Sequence, residues 1–207
     1  MLIKEVKKEK KHLCRIIFED ADEIFLDSNV CAKEGLTKGV RLSPERLEEI
    51  KFSSDYEQAH SRALWYLDRM DYTEKALYEK LVKAGFSKKA SAKVLAKFCE
   101  LKIVDDHRFA ERLALRYSES NVSKKEAVSK LLRKGVPLEL AKQVTEEHSA
   151  DENEQITALL EGKYARKLAS ENGEQKVFAA LVRKGFSYSA VRTAMKKYIA
   201  ELEFCED

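Results

Sequence analysis

The side chains able to do acid–base, metal or nucleophilic chemistry are few in this sequence and badly spaced for it. The histidines His12, His60, His107 and His148 lie far apart, and none falls in an H-E-x-x-H or comparable ligand spacing, so no metal is expected. The cysteines Cys14, Cys31, Cys99 and Cys205 are irregularly spaced and form no C-x-x-C. That pattern speaks against a zinc site or a disulfide framework and for the reduced thiols of a cytoplasmic protein. Asp105-Asp106 is the paired carboxylate ahead of an apolar run, the arrangement that acid–base or metal chemistry would use. An N-cap and first-turn acid for a helix carrying Phe109, Leu113 and Tyr117 explains it without chemistry. Gly35 and Gly39 frame Leu-Thr-Lys rather than a phosphate cradle, and neither G-x-x-x-x-G-K-S/T nor G-x-G-x-x-G occurs. These absences predict a protein that is not an enzyme and holds no cofactor.

Cations at helical spacing carry more information. Arg108, Arg112 and Arg116 follow i, i+4, i+8 and form one stripe; Lys89, Lys93 and Lys97 form a second. Either stripe suits an acidic partner or a phosphate backbone, and a solvated helix face is the plain alternative. The lysine stripe is not periodic, since Glu139, Gln143 and Glu147 stand fifty residues later. A third set does recur: Lys83, Arg133 and Arg183, with Lys134 and Lys184 beside the last two. Cations in a last helical turn offset the helix dipole by about 0.3–1 kcal/mol each, which accounts for them without a ligand. Trp65, Tyr66 and Phe98 resemble a base-stacking platform, but at helical spacing they are expected in the core.

The elements that would hold these residues are helical. Of 207 residues, 36% are charged, with only 2 prolines and 7 glycines, which favours long solvated helices and excludes an all-β fold. The first 60 residues hold 11 Lys/Arg against 13 Asp/Glu and the remainder 28 against 23, an excess too mild to indicate nucleic acid by itself. No apolar run approaches the ~18 residues a membrane span needs, and no signal peptide is visible behind the lysine-rich start. Alternation of Cys14, Ile16 and Phe18 and then Ile24 and Leu26 around Glu19-Asp20-Ala21-Asp22 predicts a β-hairpin. Ser43-Pro44-Glu45 starts a helix of Leu47 and Ile50. Residues 1–52 are therefore expected to form a small hairpin-plus-helix module.

Beyond Asp55 the period is helical, with Ala63, Leu64, Leu67 and Met70 on one face and Trp65 and Tyr66 broadening it. Leu81-Val82-Lys83-Ala84-Gly85-Phe86-Ser87 reappears fifty residues on as Leu131-Leu132-Arg133-Lys134-Gly135-Val136-Pro137, and again as Leu181-Val182-Arg183-Lys184-Gly185-Phe186-Ser187. Leucine anchors the end of a helix, glycine supplies the left-handed residue after it, the apolar residue closes the contact, and Ser or Pro starts the next helix. The recurrence predicts three tandem three-helix repeats, 53–102, 103–150 and 151–207, in a curved, elongated array, the last with an acidic tail. The fold class is mainly α behind the small N-terminal β-hairpin module.

Ala63-Leu64-Trp65-Tyr66-Leu67, Thr73-Glu74-Lys75-Ala76-Leu77 through Lys83-Ala84-Gly85-Phe86, and Ile103-Val104-Asp105-Asp106-His107-Arg108-Phe109-Ala110 resemble the RecX family, bacterial regulators of the RecA recombinase. The second and third glycine windows are similar to the same pattern, so the resemblance covers about residues 55 to 200. It implies a monomeric, non-catalytic scaffold that lies in the groove of the RecA–DNA filament and restrains RecA's ATPase, strand exchange and coprotease activity. DNA, single- or double-stranded, is a candidate direct partner, and a membrane is not expected. The candidate partner-facing residues are Lys89, Lys93, Lys97, Arg108, Arg112, Arg116, Lys124, Lys125, Arg133, Lys134, Arg183 and Lys184. Lys102 stands where the family often has glycine, and Asn121-Val122-Ser123-Lys124-Lys125 replaces a Gly-Pro-Arg-like lead. The alternative function is a helix-turn-helix DNA binder, although Ser87-Lys88-Lys89-Ala90 and Pro137-Leu138-Glu139-Leu140 offer no consistent base readers.

Overall fold

The alternation of the N-terminal residues does produce antiparallel strands, but three of them rather than two. β1 (Ile3–Lys8), β2 (Leu13–Phe18) and β3 (Glu23–Asp27) form a sheet in that order, with Ile3 opposite Phe18 and Cys14 opposite Leu26. The computed structural model describes residues 1–9, 12–20 and 22–205; Ala21 of the expected turn and Glu206-Asp207 of the acidic tail lie outside the described residues. β1 is hidden in the sequence because only Ile3 of its six residues is buried, and its lysines suit an exposed edge. The inward face, Ile3, Cys14, Ile16, Phe18 and Leu26, is covered by α1 (Ser28–Lys33) and by Leu47 and Ile50 of α2 (Pro44–Leu67).

Ser43 accepts the Arg46 N–H and Pro44 opens the first turn of α2, as those residue types require. The helix then runs 24 residues without interruption through the boundary expected at residues 52 and 53. Its apolar stripe lapses between Ile50 and Ala59, yet no proline or glycine occurs there to stop it. The first half of α2 thus closes the sheet core, and Ala59 and Ala63 of its second half enter the next core.

Three helical cores follow at a spacing of fifty residues. The first joins α2 to α3 (Glu74–Lys83) and α4 (Lys88–Glu100). The second is built by α5 (Asp106–Glu119), α6 (Lys124–Arg133) and α7 (Leu138–Glu147). The third comprises α8 (Glu152–Glu161), the short α9 (Ala165–Leu168), α10 (Gly173–Arg183) and α11 (Tyr188–Cys205). α9 is an addition to the three-helix plan, and it follows α8 because that helix stops at Gly162. Leu81, Leu131 and Leu181 are fully buried at one register, as are Val94 and Val144 at another, where Ala194 takes their place. Burying such a leucine contributes about 1.5–3 kcal/mol, which helices of ten residues need in order to persist.

The recurring glycines end α3, α6 and α10 with φ of +100°, +92° and +97°. Each turn makes the same two bonds: Phe86, Val136 and Phe186 N–H to the leucine carbonyl five residues back, at 3.2–3.3 Å, and the glycine N–H to the carbonyl three back, at 2.9–3.0 Å. Lys102 and Asn121 take φ of +52° in the corresponding turns after α4 and α5, so the backbone keeps its left-handed residue without glycine. The chain packs as two compact units, Met1–Val104 and Asp105–Asp207.

Candidate functional site

In the first unit, α4 turns Ala90, Ser91, Val94, Leu95 and Phe98 inward, which leaves Lys89, Lys93 and Lys97 exposed on its outer side. Lys89 Nζ and Lys93 Nζ sit 4.6 and 5.3 Å from the centre of the Phe52 ring, and Lys93 lies 5.1 Å from Tyr56. Lys97 pairs with Glu100 at 2.9 Å. Lys89 and Lys93 thus lie against the aromatic faces of α2, while Lys97 is paired along its own helix.

In the second unit, Asp105 caps α5 by accepting the Arg108 N–H at 3.0 Å. Asp106 occupies the first turn, and the carboxylate pair is accounted for as helix-starting chemistry. Ala110 and Ala114 face the core with Phe109, Leu113 and Tyr117, so Arg108, Arg112 and Arg116 fall together on the exposed side. They form a cationic row over two turns of one rigid helix.

The helix-end cations divide. Lys83, Arg133, Lys134 and Arg183 are exposed, and Arg133 Nε returns to the Ser129 carbonyl at 3.3 Å. Lys184 instead reaches Glu126 of α6 at 3.7 Å, joining the second repeat to the third. Burial alone would raise the Glu126 carboxyl, but the hydrogen bond from Lys130 and the charges of Lys184 and Lys130 outweigh it and hold the group below its ordinary value. Ser123 Oγ, which also caps α6, donates to the Lys184 carbonyl at 2.5 Å. A Cβ on Gly185 would stand 2.9 Å from both Lys125 Cβ and Ser123 Oγ. Lys125 therefore packs its stem under the third turn, and Lys124 pairs with Glu146 at 2.9 Å.

Sequence reasoning places Trp65 in the core, and the structure does not. Trp65 is 46% exposed, as are Leu64 at 43% and Met70 at 54%, because α2 turns Ala59, Ala63, Tyr66 and Leu67 inward. The Trp65 ring is covered by guanidinium groups, with Arg69 Cζ at 3.6 Å and Arg62 Cζ at 5.5 Å from its centre. Phe98 is fully buried and Tyr66 partly so, as expected. Glu111, Glu147 and His148, separated by 36 residues in sequence, are brought together by the packing of α5 on α7 and could hold a metal ion.

Two repeats match family models by sequence: residues 59–98 match the first three-helix domain of RecX, and residues 150–195 the third. Full-length relatives agree. A regulatory protein RecX of Listeria monocytogenes serotype 4a is 24% identical over 98% of this chain and 77% of its own length. One of Streptococcus mutans serotype c is 27% identical over 95% and 76%. The chain is thus similar to RecX regulatory proteins along nearly its whole length. A crystal structure of regulatory protein RecX superposes with a TM-score of 0.69 at 21% identity, covering 94% of this chain and 98% of that one. RecX from Lactobacillus salivarius gives 0.63 at 22% identity, covering 72% and 99%. The mainly helical fold behind a small N-terminal sheet is thus a RecX fold, and the relatives are named as regulatory proteins.

Proposed function

We propose that this chain is a non-catalytic modulator of the RecA recombinase that binds the RecA–DNA filament through its helical repeats and restrains ATP hydrolysis, strand exchange and coprotease activity. The observation that carries this reading is the match, over 98% of the chain, to a protein named as a RecX regulator. The repeats support it: one turn with the same backbone recurs in three copies fifty residues apart, and repeated helical units are suited to contacting successive units of a polymer. In this reading residues 1–52 are an accessory module, and the repeats at 53–102, 103–150 and 151–207 carry the contacts.

The exposed rows Arg108-Arg112-Arg116 and Lys89-Lys93-Lys97 face DNA phosphates or acidic RecA surfaces, with Lys83, Arg133, Lys134 and Arg183 contributing at helix ends. Lys124, Lys125 and Lys184 complete the proposed set, with Lys124 and Lys184 paired to Glu146 and Glu126 within the second unit. The protein acts as a cytoplasmic monomer; among the described residues no helix is long and apolar enough to cross a membrane. Titrating the chain into RecA assembled on single-stranded DNA tests the proposal. ATP hydrolysis should fall as the chain approaches stoichiometry with RecA, and an unchanged rate throughout would overturn it. Sequence-selective binding to duplex DNA without RecA would point to the helix-turn-helix alternative instead.

A further inference from the structure

The second repeat contains a set of donors that the RecA reading does not use. His148 closes the C-terminus of α7, its backbone N–H bonded to the Val144 carbonyl at 3.2 Å. Its Nε2 is shut off from solvent and has no hydrogen-bond partner. Leaving such an atom unpaired costs on the order of 1–3 kcal/mol, with no return visible in the packing. Glu111 of α5 and Glu147 of α7 each bring a carboxylate oxygen to the same imidazole, and the three donor atoms, one from each residue, lie within 4.8 Å of one another.

Both carboxylates are also oriented from behind. His107 Nδ1, one turn before Glu111, lies 3.3 Å from Glu111 Oε2. Gln143 Nε2, one turn before Glu147, donates to Glu147 Oε1 at 3.0 Å. Each carboxylate thus has one oxygen engaged by a neighbour on its own helix. That is how outer partners orient metal-binding side chains.

We propose that Glu111, Glu147 and His148 form a binding site for a divalent transition-metal ion, for which Zn²⁺ is the probe. One imidazole nitrogen and two carboxylate oxygens suit a first-row ion such as Zn²⁺ better than Mg²⁺, which prefers an octahedral oxygen shell with several waters. Zinc bonds of about 2.0–2.2 Å place donors roughly 3.4 Å apart, so the site closes by small side-chain rotations, for which the exposed Glu147 has room. The exposed side leaves the fourth position to water. The bound ion crosslinks α5 to the end of α7, two elements that pack through Ala110, Ala114, Ala141 and Val144. Sequence spacing hides the site because its halves lie on different helices.

Isothermal titration of the full chain with ZnCl₂ is the test. One ion should bind per chain, with at least tenfold weaker affinity in Glu147→Gln and His148→Ala and affinity weakened by about tenfold in His107→Ala. Glu147 and His107 are exposed, so circular dichroism of their variants should match the parent. No heat of binding up to ~100 μM Zn²⁺, or affinity unchanged in both Glu147→Gln and His148→Ala, overturns the site, the latter by assigning zinc to other residues such as the thiols. Equal affinity for Mg²⁺ overturns the choice of a transition ion.

Discussion

The turns at Gly85 and Gly185 share one backbone and have opposite surroundings. Both have φ near +100° and the same pair of closing bonds. Around Gly85 nothing lies within 4 Å of where a Cβ would stand, whereas at Gly185 that position meets Lys125 and Ser123 at 2.9 Å. The residue after the helix must be left-handed at every repeat, and at the third, unlike the first, it is also pressed against another repeat. The cation beside it follows suit: Lys184 is paired with Glu126, while Ala84 occupies the first-repeat position. A repeated motif therefore carries one role common to all copies and a second acquired where copies touch.

Alanine at the two glycines separates these roles. Gly85→Ala should cost about 1–2 kcal/mol from the left-handed conformation alone. Gly185→Ala should cost about 2–4 kcal/mol, because the new methyl also displaces Ser123 and Lys125. Equal losses in urea unfolding would remove the packing role. A smaller effect is expected from Glu126→Gln, a loss of about 0.5–1 kcal/mol at neutral pH. The Glu126 carboxyl is held below its ordinary value in the fold, so its contribution is present above the unfolded-state pKa, near 4.3. It is lost as pH falls through the lower folded value, and the gap between parent and variant should close there. The smallest change is a gain: Lys102→Gly relieves a left-handed lysine and should raise stability by about 0.5 kcal/mol, read as a shift of the urea midpoint.

The repeat, its glycine turns and the caps at Ser43, Ser87 and Asp105 were legible in the sequence, because each depends on residue types within a few positions of one another. The edge strand β1 was not, since one buried isoleucine among lysines carries no alternation. The continuity of α2 was missed for a related reason: a lapse in its apolar stripe marks a change of packing partner, not an end of helix. The exposure of Trp65 is not legible because five apolar residues in a row, Ala63 to Leu67, leave the inward face ambiguous until α3 and α4 are in position. The cation rows were visible as periodicity, but Lys184 and Lys97 look alike in sequence and differ in what they pair with. Contacts across tens of residues, as at Glu111 and His148, leave no local trace.

The proposed contact surface places the exposed α5 row against the filament. The direct measurement compares the parent chain with the Arg108→Glu, Arg112→Glu, Arg116→Glu triple variant in sedimentation with RecA–single-stranded DNA filaments across a salt series. Binding should weaken at least tenfold with a shallower salt dependence, while helix content stays near that of the parent. Undiminished filament binding with the same salt slope would contradict the account.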